Sequence, residues 1–118
     1  MRDSMEELFY QNHVNIVFTG HVHAYERTYP IFQNVTKSDG IVHVTIGDGG
    51  NREGHASSYI DQPEWSAYRN GTQYGHGELS LLSKNKMVWK WNRNVDGEIV
   101  SYDEVTLCNS AFGSVFCD

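Results

Sequence analysis

Residues 14–23 read VNIVFTGHVH, an apolar run that leads directly into a pair of histidines. The run from Val14 to Thr19 is short, rich in β-branched residues and almost wholly apolar, which predicts a strand buried on both faces. Gly20 ends the run, and His21 and His23 follow at once. In open α/β sheets, ligands bind beyond the carboxyl ends of the strands. The stretch therefore predicts an α/β fold with a ligand site at the end of this strand.

The two histidines are candidate metal ligands. Neutral imidazole is the commonest metal ligand in proteins. Two histidines separated by one residue can direct both rings into one cleft, and two metals about 3.5–4 Å apart, each bound by one ring, would form a two-metal hydrolytic site. A bare His-x-His pair is more often a surface or structural feature. The spacing of His21 and His23 alone therefore leaves both interpretations open.

The rest of the chain predicts one helix, a second buried strand and a terminal antiparallel meander. Ser4 and Glu7 stand at capping-box spacing and predict a helix over residues 4–12. Alternating patterns and turn residues predict the meander. The remaining predictions are a buried strand at 41–46, meander strands at 78–83, 87–91 and 98–107, and irregular chain at 20–29 and 51–75.

Length and charge limit the classes of function. The 118 residues allow one modest domain. The net charge of −6, from nine Lys and Arg against fifteen Asp and Glu, argues against a nucleic-acid partner. No apolar run is long enough to span a bilayer, so we expect no membrane partner. The first residues, MRDSMEE, lack the apolar segment of a signal peptide, so none is expected in this chain.

Two features nevertheless hint at the secretory pathway. Asn34 and Asn70 each begin an N-glycosylation sequon. Cys108 and Cys117 are the only cysteines, and an even pair fits an oxidising compartment in which they would form a disulfide. Both features also have ordinary explanations, because sequons arise by chance and two cysteines can remain free thiols. Asn34 and Asn70 are thus glycosylation candidates, and Cys108 and Cys117 a candidate disulfide.

A longer match narrows the family. Residues 17–28, VFTGHVHAYERT, resemble the last signature block of the purple acid phosphatases, which belong to the calcineurin-like metallophosphoesterases. Further blocks follow in the family's order: VTIGDGGNREG at 44–54, QPEWSAYR at 62–69, YGHG at 74–77 and WNRN at 91–94. The resemblance covers the chain to about Leu107. It implies that residues 1–107 are the C-terminal part of the catalytic domain and residues 108–118 a tail.

The resemblance implies both fold and chemistry. The fold is expected to be the C-terminal part of a four-layer α/β/β/α sandwich that ends in an antiparallel β-meander. The complete enzyme is expected to hydrolyse small phosphomonoesters at a centre of Fe³⁺ plus a divalent ion, which would be Zn, Mn or Fe. By the same resemblance, His21 binds the divalent ion and His23 the ferric ion. The complete protein is expected to be secreted, vacuolar or lysosomal.

Most of the family's metal ligands have no counterpart in this sequence. The family builds its site from five blocks, of which only G-H-x-H is found here, so we assign no catalytic residue and expect the isolated chain to be inactive. The N-terminal part of the catalytic domain is expected to be required. Two alternatives stay open, a non-catalytic truncated module and another calcineurin-like phosphoesterase that acts on diesters or nucleotides.

Three residues after the histidine pair are candidates for a supporting role. Tyr25, Glu26 and Arg27 follow the pair directly. Ligating histidines are usually oriented by hydrogen-bonding neighbours, and these side chains are candidates for that task. A local ion pair that closes the loop is an equally good interpretation. His43 is expected to be a core histidine, and Trp65, Trp89 and Trp91 are expected to pack in the core or on the sheets.

Overall fold

The computed structural model describes residues 2–20, 24–33, 35–47, 64–70, 75–95 and 98–115. Sheet dominates these residues, with one α-helix near the start and one short 3-10 helix near the end. The elements are α1 (Arg2–Gln11), β1 (Ile16–Thr19), β2 (Tyr25–Thr28), β3 (Ile31–Phe32), β4 (Val35–Thr36), β5 (Val42–Ile46), β6 (Ser66–Asn70), β7 (Gly75–Ser83), β8 (Lys86–Val95), β9 (Glu98–Cys108) and the 3-10 helix Ser110–Phe112.

The first sheet has four strands in the order β1-β5-β2-β6. β1 and β5 are the two strands that were predicted to be buried, and they run parallel. The prediction is right for β5, where Val42 and Val44 are buried, and wrong for β1, where Phe18 and Thr19 are exposed. β2 runs antiparallel to β5 on one side and to β6 on the other. The sheet is therefore mixed, and the strand that follows the histidine pair lies inside it rather than at an edge. A separate hairpin joins β3 to β4.

The second sheet is the antiparallel meander β7-β8-β9, which confirms the predicted fold class. Its strands are longer than the sequence pattern predicted: β7 begins at Gly75, and β8 continues to Val95. The predicted turn after β7 is also found, since Lys84 and Asn85 lie between β7 and β8. The predicted helix is confirmed with shifted ends, as α1 covers Arg2–Gln11.

Two ranges predicted to be irregular contain strands. Residues 20–29 include β2, and residues 51–75 include β6. Both predictions were wrong at these strands because their polar side chains find partners across the sheet. Glu26 of β2 stands opposite Arg69 of β6, for example. Polar residues so paired are compatible with a central strand, although they do not give an apolar signature.

The core lies between the two sheets. The first sheet contributes Tyr25, Val42 and Val44, and the second contributes Trp89, Trp91 and Leu107. The rings of Tyr25 and Trp91 stack with centroids 4.5 Å apart and an interplanar angle of 10°. Because large aromatic side chains bury much apolar area and prefer offset stacking, this pair contributes strongly to the contact between the sheets. The predicted packing role of Trp89 and Trp91 is thus confirmed.

The chain that follows the meander packs against residues of the preceding strands and loops. Val115 is fully buried, and its N–H donates to the carbonyl of Ser38 over 2.8 Å. Its own carbonyl accepts from the N–H of Cys108, also over 2.8 Å. Cys108 is disulfide-bonded, and Cys117, the only other cysteine of the chain, lies outside the described residues. In the described part of the chain no helix is long and apolar enough to cross a membrane.

Close packing of the second sheet depends on a glycine. A Cβ built on Gly77 would lie 1.7 Å from the indole ring of Trp89. No real Cβ approaches another carbon so closely, so any other residue at this position displaces the indole. Gly20 offers a contrast, because a Cβ there meets no atom within 4 Å.

We expect Gly77→Ala to lower the free energy of unfolding by about 1–3 kcal/mol, since overpacked cores force side chains from their preferred rotamers. Gly20→Ala is the matched control, with an expected change within about 0.5 kcal/mol. Urea unfolding followed by tryptophan fluorescence measures both. Equal midpoints for the two variants would contradict the described packing of Trp89.

Candidate metal centre

The chain segment that carries the histidine pair starts and finishes at one end of the first sheet, beside the last residues of β5. β1 ends at Thr19, which pairs with Thr45 of β5. β2 begins at Tyr25, which pairs with Ile46, the next residue of β5. The N–H of Gly47 donates to the carbonyl of Ala24 over 3.2 Å. The connection from Gly20 to Ala24 thus joins two strands on either side of β5, beside its carboxyl end, where α/β sheets bind ligands.

His21 and His23 themselves lie outside the described residues, as does Asn34. Among the residues that the structure describes, no group of three or more His, Cys, Asp or Glu could hold a metal ion. Two neutral imidazoles fit a divalent ion such as Zn²⁺ as part of its ligand set, whereas Fe³⁺, a hard cation, prefers anionic oxygen. As candidate ligands, the two histidines would therefore suit a shared centre to which other ligands are added.

Tyr25 and Arg27 both contact the carboxylate of Asp103 in β9. The Tyr25 hydroxyl donates to Asp103 Oδ2 over 2.6 Å. Arg27 donates from Nε to Oδ2 over 2.8 Å and from Nη2 to Oδ1 over 3.0 Å, which is the two-pronged geometry of a strong guanidinium–carboxylate pair. The indole N–H of Trp89 donates to the Tyr25 oxygen over 2.9 Å. These four side chains form one hydrogen-bonded network between the sheets.

The network lies in the protein interior and is electrostatically consistent. Tyr25 is fully buried, and Asp103 is 7% exposed. Burial raises the pKa of the Tyr25 hydroxyl far above its ordinary value, and the charge of Asp103 raises it further. Burial alone would lower the pKa of Arg27, but its hydrogen bonds to Asp103 and the negative charge there give a net rise. Tyr25 therefore keeps its proton, and Arg27 its charge, so both remain donors.

Glu26 faces the other side of the first sheet. Its Oε2 accepts a hydrogen bond from Ser66 Oγ over 2.7 Å and one from Arg69 Nε over 3.0 Å. Both donors belong to β6 of the same sheet. Successive side chains of a strand point to opposite faces, which is why Tyr25 and Arg27 contact the second sheet and Glu26 does not. All three side chains are thus held by contacts with other strands.

Of the two interpretations offered for these residues, ion pairing is present in the structure, but it is not local. Arg27 pairs with a residue 76 positions away, and Glu26 with one 43 positions away. A role in orienting the metal ligands stays a prediction. Asp103 was missed by the sequence reasoning, although a signal existed. Asp103, Val105 and Leu107 alternate along β9 with the exposed Glu104, so an acidic residue stands at a core-facing position.

The glycosylation candidate Asn70 differs in its surroundings from the expectation. It falls within residues 51–75, which the sequence predicts to be irregular. The structure places it as the last residue of β6, half-buried and paired with Tyr25. Its use as a glycosylation site stays a prediction, as does that of Asn34.

We expect Asp103→Ala to lower the free energy of unfolding by about 3–5 kcal/mol, because it leaves the partly buried Arg27 without its counter-ion and the buried Tyr25 hydroxyl without its acceptor. The control is Glu104→Ala on the same strand. Glu104 is exposed and lies 3.6 Å from Lys90, and such surface pairs contribute about 0–1 kcal/mol. Chemical unfolding of both variants checks the difference, and a small effect at Asp103 would show that the network adds little to stability.

Comparison with known proteins places the chain in a family. The family described as "Iron/zinc purple acid phosphatase-like protein C" matches residues 40–102. Purple acid phosphatase 18 of Arabidopsis thaliana is 51% identical over 108 residues, a match that covers 91% of this chain and 24% of the relative. Fe(3+)-Zn(2+) purple acid phosphatase 12 of the same plant is 37% identical over 121 residues, covering 92% of this chain and 26% of the relative.

A solved structure agrees with both matches. The purple acid phosphatase isolated from yellow lupin (Lupinus luteus) seeds superposes with a TM-score of 0.75 and 28% identity, covering 86% of this chain and 19% of the lupin chain. The chain spans about a quarter of the length of the curated relatives it matches, 24% of the first and 26% of the second. The family match and the relatives agree with the solved structure, and the chain belongs to the purple acid phosphatase family.

Proposed function

We propose that this chain supplies the last two histidine ligands, His21 and His23, of a phosphatase centre that binds Fe³⁺ and a divalent ion. One observation carries the proposal: the segment from Gly20 to Ala24 is joined at both ends to strands beside the carboxyl end of β5. Membership of the purple acid phosphatase family supports the reaction class, metal-dependent hydrolysis of phosphoric monoesters.

The division of the two metals follows the family pattern. We assign the divalent ion to His21 and the ferric ion to His23. A relative named for Fe(3+) and Zn(2+) supports Zn²⁺ as one candidate for the divalent ion, and Mn²⁺ and Fe²⁺ are the others. When bound, such a two-metal centre supplies Lewis acidity toward the phosphoryl group of a small phosphomonoester. This chain's own contribution is two neutral imidazole ligands on a short segment between strands.

The remaining ligands come from the N-terminal part of the catalytic domain, and the described surface has places for it. β1 is an edge strand of the first sheet. Phe18 of β1 is 40% exposed although its ring packs on Trp89 at 4.9 Å. Leu79 and Leu81 of β7 are 39% and 76% exposed. Large apolar side chains on strands that lie at sheet edges in the described part of the chain favour a further layer of protein there.

One disulfide and two sequons bear on the cellular setting. Cys108 is disulfide-bonded, and disulfides persist in oxidising compartments. Asn34 and Asn70 are glycosylation candidates. We infer that the complete protein is secreted, vacuolar or lysosomal, with the disulfide between Cys108 and Cys117.

The isolated chain is expected to be inactive toward p-nitrophenyl phosphate and to bind no ferric ion tightly, because two imidazoles do not complete a two-metal site. To supply the remaining ligands, the chain can replace the equivalent quarter of Arabidopsis Purple acid phosphatase 18. In that chimera, His23→Ala should lose iron, His21→Ala should lose the divalent ion, and each should abolish turnover.

The control variant is His76→Ala, because His76 is an exposed residue of β7 outside the proposed centre. Elemental analysis and the phosphatase assay are applied to every variant. A 118-residue chain that is active alone, or a chimera that keeps both metals without His21 and His23, would refute the assignment.

A further inference from the structure

We propose that Asp103 is a positioning residue for the histidine pair: through Tyr25 and Arg27 it holds the strand that follows His23 against the second sheet. The inference rests on the proposed function, because it takes His21 and His23 to be metal ligands. Asp103 lies in β9 and stands 80 positions after His23 in the sequence.

Covalent geometry makes the first link. Tyr25 stands two residues after His23, so their Cα atoms lie within about 7 Å of each other whatever the local conformation. Ala24 and Tyr25 are both fully buried. A shift of Tyr25 therefore moves the point from which the His23 side chain starts.

Tyr25 itself has little freedom. One face of its ring stacks on Trp91, with centroids 4.5 Å apart. Its hydroxyl accepts from Trp89 and donates to Asp103 over 2.6 Å. The apolar contact leaves the ring free to slide in its plane, whereas the directed hydrogen bond to a carboxylate fixes where the hydroxyl must lie.

Arg27 adds a second fixed point on the same strand. It donates two hydrogen bonds to Asp103, and the planar guanidinium permits them together in only one orientation. Tyr25 and Arg27 are two residues apart and point to the same face, so one carboxylate fixes β2 at two points about 6.6 Å apart. The position of β2 along and across the second sheet is thereby set.

The chemical nature of the contact argues for positioning rather than stability. A buried ion pair is often no more stabilising than well-packed apolar residues of similar volume. The neighbours of Asp103 on this face, Val105 and Leu107, show that apolar side chains suit the site. A directed, charged contact instead restricts geometry, and the hydrogen-bonded neighbours of metal ligands typically change metal affinity about 10- to 100-fold when removed.

Glu26 does not provide the same restraint. Its partners, Ser66 and Arg69, belong to the adjacent strand of the same sheet. They reinforce the pairing of β2 with β6 but do not relate one sheet to the other. Among the described residues, the contacts of Asp103 are thus the charged link between the strand after the histidines and the meander.

The test is Cu²⁺ binding to the 118-residue chain, followed by titration and by electron paramagnetic resonance, which reports nitrogen ligands and their geometry. His21→Ala and His23→Ala identify the signal that belongs to the pair. Asp103→Asn should weaken that binding by up to about 10-fold, the lower end of the range for groups hydrogen-bonded directly to a ligand, and alter its spectrum. The adjacent Glu104→Gln should change neither.

Gly77→Ala distinguishes general destabilisation from a loss of positioning. It disturbs the core at Trp89 without removing a hydrogen-bond partner of Asp103. It should lower stability yet keep the Cu²⁺ affinity and spectrum. If circular dichroism shows that Asp103→Asn is not folded, Arg27→Lys replaces it as the test variant. Lysine keeps the positive charge but cannot make the two-pronged contact with Asp103.

Unchanged affinity and spectrum in a folded Asp103→Asn or Arg27→Lys chain would overturn the positioning role while leaving the metal assignment intact. An equal loss in Gly77→Ala would overturn it as well, since general destabilisation would then explain the effect. Binding that does not depend on His21 and His23 would refute the metal assignment itself and, with it, the role of Asp103.

Discussion

A buried carboxylate between two sheets controls much of this structure. Asp103 accepts three hydrogen bonds from β2, two from Arg27 and one from Tyr25. An ionised carboxylate is costly to bury unless its oxygens are fully paired. The two sheets can therefore meet only where these donors reach Asp103. Apolar packing around it tolerates small shifts, but the hydrogen bonds do not, so they select one arrangement among those that the core would allow.

The aromatic layer depends on that arrangement in turn. Trp91 stacks on Tyr25, and Trp89 donates a hydrogen bond to the Tyr25 hydroxyl. The positions of both indoles therefore depend on Tyr25, which Asp103 holds in place. Gly77 leaves the space in which the Trp89 indole lies across β7. A larger side chain there would displace the indole and weaken its hydrogen bond to Tyr25, which Asp103 still holds. Packing and hydrogen bonding are thus one cooperative unit rather than separate sources of stability.

Prediction from sequence succeeded where the signal was local. β1 and β5 are apolar runs, and the meander shows alternation with turn residues, so their positions could be derived from short windows. β2 and β6 could not, because Glu26 and Arg69 are polar and become acceptable in a sheet only through each other, 43 positions apart. Asp103 was missed for the same reason, because its structural role depends on its contact with Arg27, 76 positions away. A short window contains no information on such partners.

The same distinction applies to the proposed metal centre. The identity of the donors is local, since His21 and His23 are adjacent to a strand end and carry the family motif. Their placement is not local, because the strand after them is held by a residue of the last strand of the meander. Imidazoles that bind a metal must be oriented as well as present. Under the proposed positioning role, a chain that supplies the two histidines to a shared centre needs β9 as well. This requirement gives a physical reason for the meander, which contains none of the proposed ligands, to remain joined to the strands around the histidine pair.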